Sequence, residues 1–253
     1  MPRKWLSLAL VGLVAVANAC AQQTTPEATT TSSASVLSAT STPTSSTAPS
    51  PTPTTAAGAF EATLLPVKET RGSNAIDVQL PQVTGGMAAV RDRFNSGMRA
   101  ALGDLSGPAS DTTIDDGQLP GDERSRVTTI TPHVVAGVAI FNWYSEGAAH
   151  PNNGVATIVI AADTAQPILL TDVFGDQQAA AERLTTSVTQ INSDVGPLTP
   201  PSIDTFLNWV PTPQGFHTYV PVNHAMGDYF PVTVPWDQIS DLMSPEMRTA
   251  LIS

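Results

Sequence analysis

A histidine in a glycine-bearing turn is the residue of this chain best suited to chemistry. His150 stands in Gly147-Ala148-Ala149-His150-Pro151-Asn152, and an imidazole there could titrate near neutral pH and act as a general base. Ser145 precedes it and Asp172 follows. These three are the candidate catalytic set for a hydrolase, because a triad is defined by geometry and not by spacing. Against that reading, the chain beyond residue 58 contains neither Gly-x-Ser-x-Gly nor Ser-x-x-Lys, two local signatures of serine hydrolases. Two other uses of His150 stay open: ligand recognition, and a structural one in which its ring bonds a backbone group while Pro151 sets the exit of the turn.

His133, His217 and His224 lack a zinc-type spacing such as His-Glu-x-x-His. The stretch Gly103 to Asp122, with Asp111, Asp115, Asp116 and Asp122 followed by Glu123, lacks the order of an EF-hand loop and reads as a solvated acidic loop. No glycine-rich phosphate cradle is visible, so neither metal nor cofactor is expected. Trp143, Tyr144, Trp209, Phe216, Tyr219, Tyr229, Phe230 and Trp236 all fall in the second half. Most such aromatics on strands are core, but a surplus on an open face makes a platform for a partner. Trp143, Tyr144 and Tyr219 are the ones expected to reach such a face, and with His150 and Asn152 they form the candidate binding set.

These residues depend on a predicted central hairpin. Val134 to Phe141 and Val155 to Ile160 are short, β-branched runs, bounded by Gly, Pro and Asn and joined by the polar turn Glu146 to Asn153. Both parities of each run are apolar, which predicts strands covered on both faces. Phe60 to Val67 and Ala75 to Leu80 predict a first strand pair. Thr84-Gly85-Gly86 opens a helix whose Met87, Val90, Phe94, Met98, Ala101 and Leu105 step by three and four. Arg126 to Thr131 leads into the hairpin. Past it, Asp176 caps a second helix with Ala180, Leu184, Val188 and Ile191 on one face. Ile203 to Val210 pairs with Gly215 to Val222, Tyr229 to Val234 is a last strand, and short helices close the chain.

The beginning carries an address. Arg3 and Lys4 precede an apolar run from Trp5 to Val16, then Ala17-Asn18-Ala19 and the only cysteine, Cys20. That pattern is a secretory signal, its apolar run within the roughly 7–15 residues of such signals and short of the roughly 20 of a spanning helix. Small residues before a cysteine resemble a bacterial lipobox, with Ala17 where Leu is usual, so Cys20 is the expected lipidation site. Acylation would also use up a thiol that is otherwise unpaired outside the cell. Two or more acyl chains hold a protein on a bilayer when one does not.

Ala21 to Gly58 is almost all Thr, Ser, Pro and Ala, the composition of a disordered tether and a candidate for O-mannosylation. The expected organisation is therefore a signal peptide over 1–19, a lipidated cysteine and linker over 20–58, and a single domain over 59–253. Of the chain's 11 basic and 22 acidic residues, Arg3, Lys4 and Glu27 precede the domain, which leaves 9 against 21, a formal charge of −12. That argues against nucleic acid and favours a cationic partner.

Several motifs together resemble a known family: Tyr144 with Gly147-Ala148-Ala149-His150-Pro151-Asn152, then Leu169-Leu170-Thr171-Asp172-Val173-Phe174, Gly215-Phe216-His217 with Tyr219, and Ala225-Met226-Gly227-Asp228 before Val232-Thr233-Val234-Pro235. The chain is similar to the RsiV-like C-terminal domain family, a domain of unknown function shared with secreted mycobacterial immunogenic antigens, here in the guise of an actinobacterial lipoprotein. Ala148 departs from that pattern, standing where relatives often have a second glycine.

The resemblance implies an α+β domain with a curved, mainly antiparallel sheet, on which the two main predicted helices would pack. In RsiV the domain binds lysozyme, a basic protein, and some mycobacterial relatives have been described as esterases. Sigma-factor control does not carry over, because no cytoplasmic sigma-binding region is visible here. The expectation is a lipoprotein on the outer face of the cytoplasmic membrane, its extracytoplasmic domain binding a cationic protein or envelope ligand, with an envelope esterase as the alternative.

Overall fold

The computed structural model describes residues 58–106 and 111–252. The expected signal peptide, Cys20 and all of the linker except Gly58 lie outside them. The chain opens with two antiparallel strands, β1 (Glu61–Arg71) and β2 (Asn74–Thr84). In β2 the residues Ile76, Val78 and Leu80 are buried and Asp77 is exposed, the alternation expected of a strand with one face on a core. Helix α1 (Ala88–Leu105) buries Val90, Phe94, Met98 and Leu102. Strands β3 (Thr112–Asp116), β4 (Arg126–Ile130), β5 (Val134–Ser145) and β6 (Asn152–Ala161) complete the first sheet.

Of the expected hairpin, β5 is the centre of that sheet, while β6 is an edge strand that is half-buried except at Val159 and Ile160, so only β5 meets the expectation of cover on both faces. Along one edge β5 pairs with β6 from Val134↔Ala161 to Trp143↔Asn152. Its other edge is divided between β4, opposite Val135 to Val138, and β3, opposite Phe141 to Ser145. Only β2 and β3 run parallel. Val134, Ala136, Val138 and Ile140 enter one core, while Val135, Ala139 and Phe141 enter another beneath α1, so β5 is covered on both faces. Each fully buried side chain of Phe94 or Ile140 size contributes roughly 1.5–3 kcal/mol. The helix lies close because a glycine stands on each side of the contact: a Cβ on Gly137 of β5 would sit 2.8 Å from the Phe94 ring, and one on Gly97 of α1 itself 2.4 Å from Ile158 Cδ1.

Two expectations are corrected here. The acidic stretch is no solvated loop throughout, since Thr112–Asp116 forms β3 between β2 and β5, with Ile114 buried and Asp116 Oδ1 accepting from the Gln79 amide at 2.8 Å. There is also a second sheet. After α2 (Leu170–Val173) and α3 (Gln177–Ile191), a 3-10 turn at Ile203–Phe206 stands where a strand was expected. Strands β7 (Trp209–Thr212), β8 (Gly215–Pro221) and β9 (Tyr229–Pro235) then form an antiparallel sheet in the order β7-β8-β9. Pro231 sits on its edge strand, where a missing N–H is tolerated.

Asp176 caps α3 by accepting from the Ala179 amide at 3.0 Å. The helix buries Ala180, Leu184 and Val188 against the second sheet, while Ile191 is exposed. Helix α4 (Pro245–Ile252) ends the described chain. The fold is an α+β single domain, and among the described residues no helix is long and apolar enough to cross a membrane.

Candidate functional site

The β5–β6 turn meets the connection between β8 and β9, 75 residues away in sequence. Gly227 and Asp228 both have positive φ, +101 and +71, which turns the Asp228 carboxylate back onto the hairpin. Its Oδ2 accepts from the Asn153 amide at 2.7 Å and its Oδ1 lies 2.9 Å from His224 Nδ1. Asn153 continues the joint: its side chain donates to the Gly227 carbonyl at 3.3 Å and accepts from Asn142 at 3.2 Å.

His150 is exposed and stacks on His224, ring centroids 3.5 Å apart and planes 8° from parallel. The Nδ1 of His150 faces the Pro151 carbonyl at 3.2 Å. Both Nδ1 atoms face oxygens that can only accept, so each carries the proton, and in the neutral rings Nε2 is an acceptor. Among the described residues no group of three or more His, Cys, Asp or Glu is arranged to hold a metal ion.

Beside this joint is a cleft of about 390 Å³, whose walls include Trp143, Tyr229, Leu105, Asp104 and Asn153. Burial, and then the Asp228 charge, raise the Tyr229 phenol above its ordinary pKa, so it is held as a neutral donor. A second cleft of about 340 Å³ lies further along β6, with Ile158, Ile168, Leu169, Leu207, Trp209 and Asp204 in its walls. Leu169 is 56% and Leu207 59% exposed. Each cleft has one charged wall residue, Asp104 or Asp204, and both are acidic. Trp143 and Asn152 share a face at the end of the β5–β6 ladder, and Tyr144, exposed, points to the opposite face.

Tyr219 corrects the expected binding set. It is fully buried between the sheets, and its hydroxyl donates to Glu123 Oε1 at 2.6 Å. Arg126 Nη1 donates to the same oxygen at 2.5 Å, and His217 Nε2 lies 3.4 Å away, an ion-pair separation longer than a good hydrogen bond. Burial pushes the Glu123 carboxyl up, but His217, Tyr219 and Arg126 together outweigh it and lower the pKa to about 2. Burial and Glu123 raise that of Tyr219 in turn. A carboxylate held so low is a poor base and a phenol held so high a poor nucleophile, so the cluster fastens the segment before β4 to the second sheet.

The candidate triad is not brought together. Ser145 Oγ lies 3.0 Å from Thr112 Oγ1, whereas Asp172 Oδ2 accepts from the Leu169 amide at 2.8 Å at the start of α2. The segment bearing Asp172 joins β6 at Val159, which faces Ala136. From Ala136 to Ser145 is roughly 30 Å along the strand. His224, Asp228, Tyr229 and Glu123 lie outside the candidate catalytic and binding sets, although Asp228 ends one of the quoted motifs.

No family model matches this chain, and no curated protein does. Its fold is similar to that of a DUF3298-family protein of Bacteroides fragilis, with a TM-score of 0.58 at 16% identity over 77% of this chain and 98% of that one. A DUF3298-family protein of Pseudomonas aeruginosa is matched with a TM-score of 0.49 at 10% identity, over 74% and 96% of the two chains. DUF3298 denotes a family of unknown function, and the likeness to the first protein places the fold beside it.

Proposed function

We propose that this chain is an RsiV-like cell-envelope lipoprotein, anchored through Cys20 to the outer face of the cytoplasmic membrane, whose domain binds a cationic protein or envelope ligand. The observation that carries the binding reading is the pair of clefts along β6, apolar in their walls and charged only by Asp104 and Asp204. Such walls favour a partner with apolar side chains and positive charge and disfavour phosphate surfaces. An esterase is less well supported, because Ser145 and Asp172 lie at separate ends of the hairpin and His150 bonds neither.

The test uses a basic bait such as lysozyme. Capture is expected at low ionic strength and release above about 0.5 M salt, where surface attraction is screened within a few ångströms. No capture at low salt refutes the cationic partner. On a short-chain aryl ester the protein should show no turnover, and turnover lost in His150→Ala would restore the esterase.

A further inference from the structure

The backbone of β6 has one edge committed to β5 and one that is only partly used. Ile140 shows which groups face which way. Its N–H donates to Ser125 Oγ at 2.8 Å, and its carbonyl accepts from the Gly117 amide at 3.0 Å, both on the side away from β6. Residues opposite one another in an antiparallel ladder exchange both bonds or neither, so Ile140 and its partner Val155 exchange none. The N–H and C=O of Val155 therefore point outward, and by the period of two so do those of Asn153, Thr157 and Val159.

At the ends of this row the outward groups are taken. The Asn153 amide donates to Asp228 Oδ2 at 2.7 Å, and the Val159 carbonyl accepts from the Ile168 amide at 2.8 Å. Between these two plugs, no backbone–backbone hydrogen bond from another segment reaches Val155 or Thr157 among the described residues, and the Trp209 amide of β7 meets Thr157 at its side-chain hydroxyl, 3.2 Å away, not at its backbone. The clefts border this same stretch: Asn153, Gly154, Val155 and Ala156 line one, and Thr157, Ile158 and Val159 the other. Donors and acceptors repeating at strand spacing are matched by an extended backbone, and cavities beside them accept alternate side chains.

We propose that the β6 edge from Asn153 to Val159 is a strand-addition site for an extended, basic segment of the partner protein. Its backbone pairs with Val155 and Thr157, its apolar side chains enter the two clefts, and Lys or Arg at either end meets Asp104 and Asp204. The proposal rests on the cationic partner argued above and adds how that partner is held.

The probe is the peptide acetyl-Lys-Val-Tyr-Val-Lys-amide, its binding read by chemical-shift titration and hydrogen exchange of the Thr157 amide. We expect binding, with that amide protected. Methylating the peptide's pairing amides keeps its charge and side chains and should weaken binding about tenfold or more, the loss of roughly two backbone hydrogen bonds. Val155→Pro removes one outward donor and leaves the β5 ladder intact, and it should weaken both the peptide and the basic bait. The methylated peptide tests the same point without altering the protein.

Equal binding of the methylated peptide, or an unprotected Thr157 amide, overturns the proposal. A dimer of this chain abolished by Val155→Pro would also overturn it, by assigning the edge to a second copy. Full capture of the bait by Val155→Pro refutes strand addition and leaves the cationic partner standing. Peptide binding with Thr157 protected, but no capture of the bait by the wild type, supports the edge and refutes the bait.

Discussion

A carboxylate enclosed between two sheets must be matched by donors or take up a proton, and Glu123 accepts from Tyr219 and Arg126, with His217 Nε2 at ion-pair distance, 3.4 Å. Its ordinary pKa of 4.5 falls to about 2 in the folded chain. A depressed carboxylate stabilises the fold above its unfolded pKa and loses that contribution as the pH falls toward the folded one. The contribution is therefore complete above about pH 5, on the order of 3 kcal/mol, and vanishes near pH 2. Glu123→Gln should lower Tm clearly at pH 7, and its gap to the wild type should close between pH 5 and pH 2. A gap independent of pH over that window would show that the charge does not matter.

Among elements, the joint between the hairpin and the β8–β9 connection hangs on Asp228. Asp228→Asn preserves a residue type that tolerates positive φ but removes the charge that both Asn153 and His224 meet. We expect a loss of about 1.5–3 kcal/mol, the range for hydrogen bonds to charged groups, with faster hydrogen exchange at the Asn153 amide. Unchanged exchange there would mean that the joint is held by other contacts.

How legible these elements were depended on how local their cause is. The hairpin and α1 declare themselves through runs and periods within one stretch of chain. Strand β3 does not, because Thr-Thr-Ile-Asp-Asp has one large apolar residue and becomes a strand only when β2 and β5 flank it. Tyr219 was expected on an open face because alternation cannot reveal that a second sheet leaves β8 no such face. Its partner Glu123 is 96 residues away, a pairing that no local pattern encodes. The motif around His150 was readable, but that His224 would stack on it follows only from the fold.

For the whole molecule, the anchor and the acidic domain have one shared role under the proposal: they would keep a binding surface outside the cell within reach of its membrane. Under that proposal retention would come from the lipid alone, since a domain with a formal charge of −12 offers an anionic bilayer no attraction.

Cys20→Ser should move the protein from the membrane fraction to the medium, or leave it as an unprocessed precursor. Shortening the linker while keeping Cys20 should leave fractionation unchanged. At about 0.8 kcal/mol per buried CH₂, two or more acyl chains make the difference between these variants nearly all-or-none. Mature Cys20→Ser protein that still sediments with membranes would place the membrane contact in the domain itself and overturn the anchor.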